Sequence, residues 1–239
     1  MHLPVRVVHF FALNYCIIYA ALNNTLNSPH ITQLLNRLFA EAEASAPALK
    51  AVAQSDASRM LTSRTDYREF YGLLKDIPLP VSGETGNLLY MLARSTGARH
   101  IVEFGTSLGV STIYLAAALR DNRGGRVITT EFEPSKAARA RQHLTEAGLI
   151  DLVEIREGDA LETLAHDLPE AVDLVLLDGA KALYADVLER VERRLRPGSL
   201  VLADDANLSP EFVNRMRANP SLYLSAPLAG DLELSMRLA

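Results

Sequence analysis

From Pro80 onward the chain alternates short apolar runs with amphipathic stretches, and this alternation restricts the fold more than any other feature of the sequence. Strands separated by helices of this length cannot pair as hairpins. They form a parallel sheet with helices on both faces. The spacing predicts a lead-in helix over Gly83–Ser95, a first strand at His100–Phe104 and a helix over Gly109–Arg120. A second strand follows at Arg126–Glu131. The next helix, Pro134–Ala147, has proline in its first turn and Gly148 as its stop. The third strand is expected at Leu152–Arg156 and the fourth at Val172–Leu177. The fourth is uninterruptedly apolar, as suits a strand buried on both faces. Tyr184, Val187, Leu188, Val191 and Leu195 mark one face of a further helix, which Pro197-Gly198 is expected to end, and strand five is placed at Ser199–Ala203. The last two runs, Leu222–Leu228 and Leu232–Leu238, flank Ala229-Gly230-Asp231 and form a hairpin signal.

The expected fold class is therefore α/β, with a single Rossmann-like doubly wound sheet of about seven strands. The sheet is mostly parallel, with a C-terminal antiparallel hairpin and a helical N-terminal extension. With 239 residues there is room for one substantial domain and its core. Before it, residues 24–80 form the extension. Asn23–His30 is a turn-rich break, and Leu34, Leu35, Leu38 and Phe39 recur at helical spacing. Alanine-rich helix is expected to continue toward Arg59 with an interruption near Pro47. Tyr67, Phe70, Tyr71 and Leu74 predict another short helix that Ile77-Pro78-Leu79-Pro80 ends. Residues 1–23 stand apart. Val7–Leu22 is strongly apolar but shorter than the roughly 20 residues of a membrane span. Its start holds one clear basic residue, Arg6, and Ile18-Tyr19-Ala20 makes a poor cleavage site. The expectation is an appended segment outside the catalytic fold, with no membrane partner.

A net charge of −5 with no long basic run argues against nucleic acid as the main partner. The lone Cys16 permits no internal disulfide and fits a reducing, cytoplasmic location, and the six histidines lack zinc-like spacing. A homodimer is compatible with the sequence.

The chemistry concentrates where strands end. Val102-Glu103-Phe104-Gly105-Thr106-Ser107-Leu108-Gly109 runs from a strand through a glycine-spaced turn into a helix, where free N–H groups can meet a ligand. A dinucleotide fingerprint fits poorly, because Ser107 and Val110 replace its second and third glycines. The nucleophile elbow of hydrolases fits the spacing. The only histidines after Ser107 are His143 and His166, however, and a long C-terminal stretch, where that fold's Ser, acid, His order puts its last member, has none. A methyltransferase glycine loop accommodates the serine, and a tight turn without a ligand is the plain alternative. Glu131 ends strand two, 26 residues after Gly105, where an acid can accept both ribose hydroxyl hydrogens. Asp159, in Gly158-Asp159-Ala160, can accept from an adenine amino group or cap the following helix. Asp178 ends strand four, and Asp204-Asp205 end strand five. Five acids at consecutive strand ends form a rim suited to a cationic sulfonium.

Taken together these segments resemble the class I methyltransferases that use S-adenosylmethionine. Within them they resemble the metal-dependent small-molecule O-methyltransferases, which include the catechol and caffeoyl-CoA O-methyltransferases. The resemblance covers Pro80–Ala239 (domain 81–239) and implies a cofactor set of Val81, Glu103, Gly105, Ser107, Ser111, Glu131, Asp159, Ala160 and Asp178. Val81-Ser82-Gly83-Glu84-Thr85-Gly86 resembles the segment that closes over the methionine end. Asp178-Gly179-Ala180-Lys181 resembles the family's Asp-x-x-Lys, which implies Asp178 as a metal ligand and Lys181 as the catalytic base. Asp204-Asp205 resembles an Asp-Asn metal pair, with Asp205 standing where the family has asparagine. The resemblance implies a divalent metal, Mg2+, held by Asp178, Asp204 and Asp205, and a small aromatic hydroxyl compound as substrate. The alternatives are a metal-independent methyltransferase acting on nitrogen or another acceptor, and a non-catalytic cofactor-binding scaffold.

Overall fold

The computed structural model describes residues 24–228 and 231–239. The apolar segment 1–23, with Cys16, and the hairpin residues Ala229-Gly230 lie outside the described residues. Seven strands form one sheet in the order β3-β2-β1-β4-β5-β7-β6. They are β1 (His100–Phe104), β2 (Arg126–Glu131), β3 (Val153–Glu157), β4 (Val172–Leu177), β5 (Leu195–Ala203), β6 (Tyr223–Pro227) and β7 (Glu233–Arg237). The first five are parallel neighbours, while β7 runs antiparallel to both β5 and β6. The chain order reverses between β1 and β4, and a doubly wound sheet opens a crevice at the strand ends there.

Side chains alternate across the central strands, so each face nucleates its own core. Ile101, Val127, Leu174, Leu176, Leu200 and Leu202 point to one face. Four helices cover it: α1 (Pro29–Ala53), α3 (Gly83–Ser95), α4 (Val110–Asp121) and α5 (Pro134–Glu146). Val102, Ile128, Val175, Leu177 and Val201 point to the other, beneath α6 (Ala160–Thr163), α7 (Tyr184–Val191) and α8 (Pro210–Ala218). The first half of the extension belongs to the main core, because Ile31, Leu34, Leu35 and Leu38 pack with α3 and α4. A third, smaller cluster joins the end of α1 to α2 (Tyr67–Leu73) through Phe70, Leu74, Ile77, Leu49 and Val52. No described helix is long and apolar enough to cross a membrane.

Three local expectations are corrected. The helix α1 passes through Pro47 without interruption. Pro47 is exposed, so water can take up the carbonyl that its missing N–H leaves free. Helix then stops at Ala53, and Asp56–Met60 is a short 3-10 turn. Pro197-Gly198 does not end a helix either. A 3-10 turn over Glu192–Arg194 does that, and the Pro-Gly pair lies inside β5. There the register against β4 jumps from Val172↔Leu195 to Leu174↔Leu200, and the extra residues bulge. In β7, which pairs antiparallel with β6 as the hairpin signal predicts, Met236 is 40 % exposed, whereas Glu233 and Ser235 are buried. Arg217 grips Glu233 with two bonds of 2.8 and 2.6 Å, and Ser235 pairs with Ser225.

Candidate functional site

A cavity of about 530 Å³ opens over the carboxyl ends of the parallel strands. Gly105, Ser107, Glu131, Asp159, Ala160, Asp178, Lys181, Asp204 and Asp205 all line it. Of the remaining expected site residues, Ser111 lines a small adjoining cleft, whereas Val81 and Glu103 are buried and line neither.

The turn after β1 is built for close backbone approach. Gly105 has φ 104°, and a Cβ there would stand 2.4 Å from the Asp178 carbonyl oxygen. Ser107 also takes a left-handed φ, 45°, where a dinucleotide fingerprint has glycine. Its amide N–H donates to Glu131 Oε2 at 2.7 Å, and Glu131 Oε1 accepts from the amide of Glu133 at 3.0 Å. These two bonds fix the carboxylate at the cavity wall and leave each oxygen a free lone pair. Burial pushes the Glu131 carboxyl upward, while those amides and nearby Lys136 oppose the shift. Glu103 sits beneath the turn, fully buried, and accepts from Thr112 at 2.5 Å. It supports the start of α4 from below.

Asp159 caps the following helix, one of the two roles its motif allowed, and also binds two side chains that the motif did not foretell. Its Oδ1 accepts from the Leu161 amide at 2.8 Å, capping α6. Its Oδ2 accepts from the Tyr67 hydroxyl at 2.9 Å and forms an ion pair with Arg68. Both partners belong to α2, which with the end of α1 roofs the cavity. Tyr71, on the same helix, donates to the Gly179 carbonyl at 3.3 Å, and burial pushes its phenol up to about 12. Arg64, just before α2, pairs with Asp186 of α7 and Glu211 of α8. The aromatic spacing of this segment predicted a helix; nothing in it marked Tyr67, Arg68 and Tyr71 as cavity residues.

The acids after β4 and β5 meet around one cation. Lys181 Nζ lies 3.0 Å from Asp178 Oδ1 and 3.0 Å from Asp205 Oδ2, with the lysine side chain only 6 % exposed. The Tyr184 ring stands 5.4 Å from the ammonium. Burial opposes the charge on Lys181, but Asp178, Tyr184 and Asp205 outweigh it and hold the proton well above the usual range. Asp205 occupies a left-handed φ of 50°, which turns its carboxylate back toward the lysine. Burial would raise its pKa; the ammonium more than offsets this and keeps it low. Asp204 has no such partner, and burial together with the Asp178 charge pushes it up to about 7. Among the described residues, no three histidine, cysteine, aspartate or glutamate side chains are grouped to hold a metal ion. In this arrangement Asp178 and Asp205 are both paired with Lys181.

Comparison with known proteins follows the same lines. A family described as a methyltransferase domain matches residues 102–206, from β1 to just past β5. A catechol O-methyltransferase of Niastella koreensis is 34% identical over 147 residues, covering 60% of this chain and 66% of that protein. The chain thus matches just under two thirds of that relative's length. An O-methyltransferase of Streptomyces achromogenes involved in tomaymycin synthesis, solved with S-adenosylmethionine bound, superposes with TM-score 0.61 at 29% identity. That match covers 78% of this chain and 91% of that one. A crystal structure from Klebsiella pneumoniae, at 24% identity and TM-score 0.65, shares the fold over 95% of this chain and 97% of its own.

Proposed function

On the premise of a class I S-adenosylmethionine-dependent methyltransferase resembling the catechol and caffeoyl-CoA O-methyltransferases, we propose that this chain methylates a hydroxyl of a small aromatic molecule. One observation carries the proposal. A single cavity holds a nucleoside-type wall (Gly105, Ser107, Glu131) and, beside it, a buried lysine between two carboxylates. The cofactor lies across the strand ends, with its ribose hydroxyls on the free lone pairs of Glu131. Its sulfonium faces the acid rim. The acceptor ring lies against Tyr71, Leu183 and Leu208, with its hydroxyl toward Lys181. The hydroxyl gives its proton to a neutral Lys181, a transfer that a cation at that point eases, and the oxygen attacks the methyl group in line as the methyl–sulfur bond breaks and S-adenosylhomocysteine leaves. The chain contributes positioning and a fixed electrostatic field.

The family resemblance implies a magnesium-like ion, and the donor set suits one. Asp178, Asp204 and Asp205 offer hard carboxylate oxygens. Asp204, pushed up to about 7, marks a cluster short of positive charge. These three would hold the ion, Asp178 and Asp205 turning from Lys181 to do so. The ion would supply Lewis acidity toward the acceptor's oxygens. Lys181, freed of its two carboxylates and set beside a second cation, would hold its proton less tightly and could serve as base. A second reading rests on the ion pair itself. With Lys181 kept as an ammonium, transfer to a nitrogen acceptor proceeds without metal.

The test is to incubate the purified protein with S-adenosylmethionine and catechols, hydroxycinnamates or amines, with Mg2+ or a chelator. O-methylated product stimulated by Mg2+ is expected. Lys181→Met should lower kcat by about 10²–10⁴, the scale of a lost general base, while binding of S-adenosylhomocysteine stays intact. N-methylated product indifferent to the chelator selects the second reading. Cofactor binding without any product overturns both.

A further inference from the structure

The cavity contains a cation that the proposed chemistry leaves unused. Lys136 lies in the first turn of α5, lines the cavity beside Glu131 and is 4 % exposed. Its ammonium has no hydrogen-bond or ion-pair partner among the described residues, although most other cationic side chains around the cavity are paired. The charged groups around it come from several elements. Glu131 ends β2, Glu133 caps α5, Asp76 follows α2, and Arg139 lies one turn further along α5, paired with Glu41 of α1. Burial lowers the Lys136 pKa, and the carboxylates only partly restore it. The side chain is almost wholly buried, and its ammonium meets no protein acceptor while lining the cavity, so a ligand there is the natural partner.

The neighbouring carboxylate indicates which ligand group that is. Each Glu131 oxygen already accepts one backbone N–H and has one lone pair left. A ribose diol that gives both its hydrogens to Glu131 retains two oxygens that still need donors. Lys136 brings three donors and no acceptor. We infer that Lys136 donates to the ribose hydroxyl oxygens of the nucleoside cofactor and completes, with Glu131, a two-residue clamp on the diol. The inference rests on the methyltransferase reading and adds to it a binding residue that no motif signalled. The competing role is a plain counter-charge for Glu131 and Glu133, which would act regardless of whether the diol is present.

Calorimetry with S-adenosylhomocysteine and its 2′,3′-dideoxy analogue separates the two roles. Lys136→Met should bind S-adenosylhomocysteine about tenfold or more weakly than wild type, the scale of one hydrogen bond to a charged group. It should bind the dideoxy analogue as well as wild type does. Lys136→Gln, which keeps a donor on a shorter side chain, should recover part of the loss and serves if the Met variant does not fold. Equal weakening of both ligands overturns the clamp in favour of a counter-charge, and no change in either overturns it outright. If wild type binds neither ligand, the methyltransferase reading itself fails.

Discussion

At the scale of single residues, the site is a contest between burial and charge. Asp204 shows it most plainly, because its carboxyl is pushed up to about 7 without a cation of its own. A carboxyl with a raised folded pKa binds more protons folded than unfolded between its unfolded pKa, about 4, and about 7. Stability from this group is therefore greatest at the acid end of that window and is lost as pH rises through it. Asp204→Asn should flatten that fall, read as melting temperature against pH from about 4 to 8 in the absence of metal. Parallel curves for variant and wild type would contradict the assignment. The same contest explains what was legible in the sequence. Glu131, Asp178 and Lys181 stand at strand ends and in spaced motifs, and all three line the cavity. Lys136 and Arg68 carry no such mark. Their importance arises from what folds against them: Arg68 reaches Asp159 across 91 positions. Asp205 was legible as an acid but not as the second partner of Lys181, because its left-handed backbone decides where it points.

At the scale of elements, the strands were the clearest part, since unbroken apolar runs such as Val172–Leu177 have few other uses. The bulge in β5 was hidden, because a Pro-Gly pair looks the same inside a distorted strand as at a helix end. The roof was least legible. It consists of α2 and its flanks, which share a small core with the end of α1, lay the half-buried Tyr67 and Tyr71 against the sheet's second core, and otherwise meet the domain through polar contacts. Few buried apolar contacts and surface ion pairs worth little each give such a segment a low opening energy. Amides of α2 should therefore exchange hydrogen well ahead of those in β1 and β4. Arg68→Ala should widen the difference while leaving the sheet's rates unchanged. Roof and sheet exchanging together would show that the segment is no separate unit.

At the scale of the whole molecule, the described cores are closed by residues from Leu26 onward, with Thr25 anchored on Asp121 by bonds of 3.2 and 3.0 Å from its amide. A chain begun at Asn24 should bind S-adenosylhomocysteine as tightly as the full chain; a loss of binding would place residues 1–23 within the working fold. The strand order also sets a timetable. β1, β2 and β3 are neighbours in sequence as well as in space, but β1 must also pair with β4, Ile101 against Leu174. On a ribosome, the half of the sheet carrying Gly105 and Glu131 therefore emerges with its central edge unpaired, before the strands that bring Asp178 and Asp204 exist. Long-range parallel pairing is slow, and open strand edges invite wrong partners. For a time, the newborn protein can shape one wall of the cavity while still lacking the strands that bring the other.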